Sequence, residues 1–206
     1  MFSLGIPHRQ IARLLGKVQG SALLEFAIVL PLLVVFVVGI YDFSDALNRK
    51  QKIQQAAQEA AIIAGSQPTS DIQSMKSNPA SLQVVVDAVF NSLTGSGVLA
   101  KGACSSPGQP TPGPTWVYMI GCNGATDNLV IKINRAWICG SSPPPPCPAA
   151  PPCPSGPPIA VGTSVAVTYP YHWRLFGSAI QLLFPGQNSY SAPTQLTACA
   201  SVHNQI

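Results

Sequence analysis

Apolar residues run along this chain in three rhythms, and each rhythm predicts a different element. From Ala22 to Tyr41 the chain reads ALLEFAIVLPLLVVFVVGIY, apolar at nearly every position. About twenty such residues, rising 1.5 Å each, match the roughly 30 Å of a hydrocarbon core, so the segment predicts one transmembrane helix. It is longer than a signal-peptide core, and YDFSDALNRKQK follows where an A-x-A cleavage signature would stand. The helix is therefore expected to stay as an anchor. Beyond it, DFSDALNRKQKIQQAAQEAAIIA is rich in Ala, Gln, Leu and Lys without Gly or Pro, which carries the helix on to about Ile63 or Ala64, with Gly65 and Pro68 as its stop. From Ala22 to Ala64 such a helix would be roughly 65 Å long, half in lipid and half outside it. Ala46, Ala56, Ala57, Ala60, Ala61 and Ala64 line one face of the outer half. An apolar stripe must be covered, and the pattern leaves open whether a partner helix or the chain's own domain covers it.

The second rhythm is helical: Leu82, Val85, Val86, Val89, Phe90 and Leu93 recur at three- and four-residue spacings. Asn78 is the expected N-cap, Pro79 the first turn and Gly95 the end. The third is the rhythm of strands. Thr115–Cys122, Asn128–Cys139 and Ser164–Trp173 are rich in β-branched and aromatic residues, with alternation clearest at Val165, Val167 and Tyr169. A fourth candidate, Thr194–Val202, carries a weaker signal. The fold class that follows is α+β: a long N-terminal transmembrane helix, then a small disulfide-bonded domain with an antiparallel sheet and one helix. Between the second and third strands, Ser141–Pro158 reads SSPPPPCPAAPPCPSGPP, a polyproline-like excursion that cannot hold a sheet ladder.

Composition sharpens this picture. Of 206 residues only 9% are charged while 47% are apolar, which is not the profile of an ordinary cytosolic domain. The net charge of +4 comes from two short basic groups without a recognition motif or aromatic interleaving, so no nucleic-acid partner is expected. Cys104, Cys122, Cys139, Cys147, Cys153 and Cys199 all lie beyond the apolar segment. An even set in a loop-rich region reads as a disulfide framework in an oxidising compartment, with 15 connectivities open. Zinc is the weaker reading, because there is no CxxC pair and His8, His172 and His203 are scattered. No metal and no cofactor are expected. Basic residues flank the apolar helix equally, with Arg9, Arg13 and Lys17 before it and Arg49, Lys50 and Lys52 after it, so the positive-inside rule does not orient the chain. The cysteines do, toward a cytoplasmic N-terminus and an exported C-terminal domain.

One charge is out of place. Glu25 stands inside the apolar helix, five residues after Gly20 closes a basic leader. A carboxylate in hydrocarbon costs about 2.5–3.5 kcal/mol on insertion scales, so it needs a reason. The plainer reading is that Glu25 reaches the interface near a positive helix terminus. Around it, the run from Gln19 to Gly65 resembles the TadE-like family of pseudopilins. The resemblance lies in the small residue, the AxxEFA-like core at Ala22–Ala27, the mid-helix Leu30-Pro31, the exit at Gly39–Phe43 and the Ala/Gln-rich helix that follows. It implies a minor or accessory subunit of a tight-adherence (Flp) pilus or secretion system. Such a protein sits in the bacterial inner membrane, meets other pilins or pseudopilins and the assembly platform, and is cut by a prepilin peptidase. Cleavage would fall between Gly20 and Ser21, removing three basic residues and no acid and so taking the net charge from +4 to +1. Glu25 would then be the fifth residue, placed to meet the new amino group at Ser21. Major pilins of this system are short and carry Glu-Tyr where this chain has Glu25-Phe26, which favours the minor role. Pro31 should loosen the helix within the membrane, or else be a tolerated proline without a role.

The expected divisions are a basic leader at 1–20, a transmembrane and stalk helix at 21–65 and an exported Cys/Pro-rich domain at 66–206. Nothing in it assembles a GxSxG, HExxH, Walker or GxGxxG motif in context, so no enzyme is expected. Tyr169–Trp173, the one aromatic cluster with a histidine, reads as a strand end closing a small core. The competing function is an unprocessed, membrane-anchored exported binding or surface domain unrelated to pili.

Overall fold

A computed structural model describes residues 21–68, 70–71, 79–111, 115–122, 127–138, 147, 161–173 and 195–204. Its elements in chain order are α1 (Ser21–Ser66), α2 (Ala80–Gly95), β1 (Trp116–Cys122), β2 (Asp127–Ile138), β3 (Val161–Pro170) and β4 (Gln195–His203). The chain divides into two compact units, Met1–Ser44 with Trp173–Tyr190, and Asp45–His172 with Ser191–Ile206. The weak fourth strand of the sequence is real, and the strands form one sheet in the order β1-β2-β3-β4, every neighbour antiparallel. The leader and most of the proline-rich excursion lie outside the described residues.

In the first unit α1 is apolar all round. Leu23, Phe26, Ile28, Leu33, Phe36 and Ile40 are each more than half exposed, as a helix built for lipid rather than for a protein core requires. It is the one described helix long and apolar enough to cross a membrane.

In the second unit the alternation of the strands becomes two faces. Tyr118, Ile131, Val167 and Ala198 form one cross-strand row, and Trp116, Ile133, Val165 and Ala200 the next. These point to the side covered by α2, through Leu82, Val85, Val86, Val89 and Leu93, and by the outer half of α1. There Ile53, Ala56, Ala57, Ala60, Ala61 and Ala64 are at most 1% exposed, so the alanine face is covered by the chain's own domain. Methyl side chains allow the helix backbone to approach closely. The same demand explains why α1 runs past its expected stop to Ser66. A Cβ on Gly65 would sit 2.9 Å from Val202 Cγ2, so this glycine stays helical where the helix meets β4.

The other face of the sheet carries Ser164, Ala166 and Cys199, and here Cys147 is joined to Cys199. The proline-rich excursion is thereby stapled back onto the sheet at its one described residue, which is buried. A second disulfide, Cys104–Cys122, ties the connection after α2 to the end of β1. Cys139 and Cys153 lie outside the described residues. Both outer strands of the sheet hydrogen-bond to neighbouring parts of the chain. Along β1, Ser105 N–H donates to the Gly121 carbonyl (2.9 Å) and Thr111 N–H to that of Val117 (2.9 Å). Along β4, the Gln54 amide of α1 donates to the Cys199 carbonyl (2.9 Å).

Helix α2 corrects one expectation. Pro79 itself takes the N-cap position, in extended conformation, and offers no side-chain cap; Asn78, the expected cap, lies outside the described residues. The acceptor comes instead from Asp71, which takes Ser81 N–H at 2.9 Å and Ser81 Oγ–H at 3.0 Å, a carboxylate at the positive end of a helix. At the other end Lys52 Nζ donates to the Ser96 carbonyl (2.9 Å), a cation at the negative end.

Candidate functional site

Three groups of residues bear on function, and all involve α1. The first is the stretch from Ser21 to Tyr41. Ser21 opens the described helix, and Gly20 lies outside the described residues. Glu25 follows one turn later on the exposed surface, and Phe26 beside it is 61% exposed. Glu25 is the one charged residue in this stretch of sequence. Pro31 lies inside the helix, which continues through it. Its missing N–H leaves the Ala27 carbonyl without the usual helical donor, a local loosening two turns from Glu25. The structure therefore keeps Ser21, Glu25, Phe26 and Pro31 on one helix, within three turns, and surrounds the carboxylate with apolar side chains of that helix. Such a surface can insert into lipid and present one acid at a fixed height.

The second group marks the end of the apolar stretch. Asp42 is buried at 1% exposure. One turn further, Asp45 and Arg49 pair across i,i+4 at 3.0 Å. The Tyr171 hydroxyl donates to the same Asp45 oxygen at 3.4 Å, and Arg49 Cζ stands 6.0 Å from the Tyr171 ring centroid. Tyr171, expected to close a core, is buried at 2% exposure and also clasps the exit of β3 to α1. Tyr169 does pack on the core, its hydroxyl donating to the Val98 carbonyl (3.3 Å).

The third group ends the outer half of α1. In β2 the inward positions Leu129, Ile131 and Ile133 are followed by Arg135, buried at 3% exposure. A register shift against β3 follows between Asn134 and Trp137. Arg135 Nη1 donates to Ser81 Oγ (2.8 Å) and the Pro68 carbonyl (3.2 Å), and Nη2 to the Gln67 carbonyl. One guanidinium thus gathers the end of α1 and the start of α2. Burial pulls Arg135 below its ordinary value, while nearby Asp71 pushes the other way. Sequence reading missed this residue, because an arginine in an apolar strand has no periodic signature. The Asp45–Arg49 pair did carry a signal, the i,i+4 spacing in DALNR.

Residues 20–61 match the model of the family described as TadE-like protein. The match ends inside α1, so residues 62–206 lie outside it. No curated protein and no solved structure matches the chain.

Proposed function

We propose that this chain, TadE-like over residues 20–61, is a minor pseudopilin or accessory subunit in assembly of a tight-adherence (Flp-type) pilus or its related secretion system. The match points to that system, and the apolar first half of α1 suggests a membrane anchor. The finer reading places the anchor in a bacterial inner membrane, N-terminus cytoplasmic and sheet domain exported, with a structural rather than a catalytic role. It also names the partners: a prepilin peptidase cutting between Gly20 and Ser21, other pilins or pseudopilins, and the inner-membrane platform. The observation that carries it is Glu25, the one charged residue of the exposed apolar stretch Ser21–Tyr41 inside the matched region. An α-amino group created at Ser21 in a low-dielectric setting needs an anion, and the Glu25 carboxylate of the same or a neighbouring subunit supplies one. Processing would then set the register in which helices assemble.

The test is intact mass with N-terminal sequencing of the membrane-extracted chain, from cells with and without their prepilin peptidase. The expected result is a chain starting at Ser21 only when the peptidase is present. Glu25→Gln should then leave insertion intact and reduce assembly. A chain that keeps residues 1–20 in both strains would favour an unprocessed anchored surface domain instead.

A further inference from the structure

The two disulfides of the sheet domain differ in how the chain can reach them. Cys104 and Cys122 are neighbours in the order of cysteines along the chain, 18 residues apart. Cys147 is joined to Cys199 across 52 residues, passing over Cys153. Cys139 and Cys153 enter only as positions in sequence, eight and six residues from Cys147.

Once Cys104–Cys122 is set, the other four cysteines allow three pairings. Joining neighbours in order would give Cys139–Cys147 and Cys153–Cys199. The observed Cys147–Cys199 bond fits a different one, which leaves Cys139 to Cys153. Two effects favour the wrong partners. In a flexible chain, loops of six or eight residues close about 15–25-fold more readily than one of 52; prolines within the short loops reduce that margin. Chain order adds to it, because a chain exported N-terminus first presents Cys139, Cys147 and Cys153 before Cys199. At about 5–20 residues per second, Cys199 follows Cys147 by about 3–10 s, time in which disulfides already form. The native partner also waits for the last strand: Cys199 lies in β4, opposite Ala166 of β3.

We propose that this chain reaches its native pairing through thiol–disulfide exchange, and that its partner on the exported side is an exchange catalyst carrying a reactive thiolate. The proposal rests on the exported placement of the sheet domain in the function proposed above. The step is redox-neutral. From the in-order pairing, the catalyst thiolate attacks the Cys153 sulfur and frees the Cys199 thiolate. Cys199 then attacks Cys147, making the native bond and freeing Cys139. The Cys139 thiolate attacks Cys153 in the mixed disulfide and releases the catalyst thiolate unchanged, so every S–S bond broken is matched by one formed. In the finished sheet Cys147 is buried, which takes the bond out of reach of further thiolates and ends the exchange.

The test refolds the reduced full chain in detergent, once with a thiol-free oxidant, copper phenanthroline, and once with reduced and oxidised glutathione. Linked peptides from a non-reducing digest are then identified by mass spectrometry. Without thiol, at most about a third of the chains should carry Cys147–Cys199, the share that unbiased pairing gives. Glutathione should raise that share up to about threefold and leave Cys104–Cys122 unchanged. Cys139→Ser with Cys153→Ser should remove the dependence on thiol. In cells lacking the disulfide isomerase of the exported side, the wild-type chain should lose Cys147–Cys199 and keep Cys104–Cys122. Equal Cys147–Cys199 with and without glutathione, or with and without the isomerase, would overturn the proposal and leave the exported placement standing. A membrane-extracted chain with all its cysteines reduced would overturn that placement, and the proposal with it.

Discussion

The two halves of α1 are one continuous helix with opposite surroundings. From Leu23 to Phe43 large side chains point outward all round and stay exposed; from Ile53 to Ala64 small ones point inward and vanish from the surface. The difference lies in what covers each half. Lipid chains are fluid and would conform to Leu, Val and Phe on every side, so a first half that spans a membrane needs bulk and no pattern. A folded sheet is rigid and conforms to nothing, so the second half needs methyl groups on one stripe and an unsubstituted Gly65 where Val202 approaches.

Three perturbations would sharpen or break that contrast, each read as urea unfolding of the detergent-solubilised full chain followed by tryptophan emission. The largest effect belongs to Arg135→Ala. It leaves the Gln67 and Pro68 carbonyls and Ser81 Oγ without their shared charged donor, and with three acceptors affected it should cost about 3–5 kcal/mol in the sheet domain while helicity of the first half is unchanged. A loss under about 1 kcal/mol would mean that the outer half is held by its alanines alone. Next is pH. Tyr118, buried against this core, has its hydroxyl pushed up to about 12, by burial first and by Asp87 second. Below pH 10 the phenol is neutral folded and unfolded, so its contribution is whole there. Between pH 10 and about 12 the unfolded chain ionises first, and about 2–3 kcal/mol should be lost. Tyr118→Phe should lose correspondingly less over the same interval; an identical pH dependence would remove Tyr118 from the core account. The smallest is a matched pair. Ala57→Leu should overpack the helix–sheet contact by about 1–3 kcal/mol, whereas Val34→Leu, adding bulk to the lipid-facing half, should stay within about 0.5 kcal/mol. Equal costs would erase the distinction between the halves.

Much of this was legible in sequence, for a reason that also sets its limit. The apolar run, the period of α2 and the alternation in β1 to β3 are local patterns imposed by the element itself. β4 was faint because Gln195–His203 alternates weakly, with Ala198 and Ala200 giving little apolar contrast on the inward side. What sequence left open depends on contacts between distant residues. The alanine stripe fitted a partner helix or the chain's own sheet equally well until Ile131, Val165 and their neighbours were seen beneath it. The cap of α2 is a carboxylate ten residues from the hydroxyl it holds, and the Cys147–Cys199 staple spans 52 residues. At the proposed processing region the signal is local: Glu25 stands out because an acid among apolar residues is costly wherever it stands.

The hydrogen bonds along the rims of the sheet have a bearing on life in a membrane. On the proposed membrane anchoring, copies of the sheet would meet at high two-dimensional concentration, where an open strand would template backbone pairing from one molecule to the next. Ser105 and Thr111 hydrogen-bond along β1, and Gln54 takes one carbonyl of β4, so part of each edge is already committed. With those groups committed, crowding in one plane would favour associations that side chains select over strand-to-strand pairing.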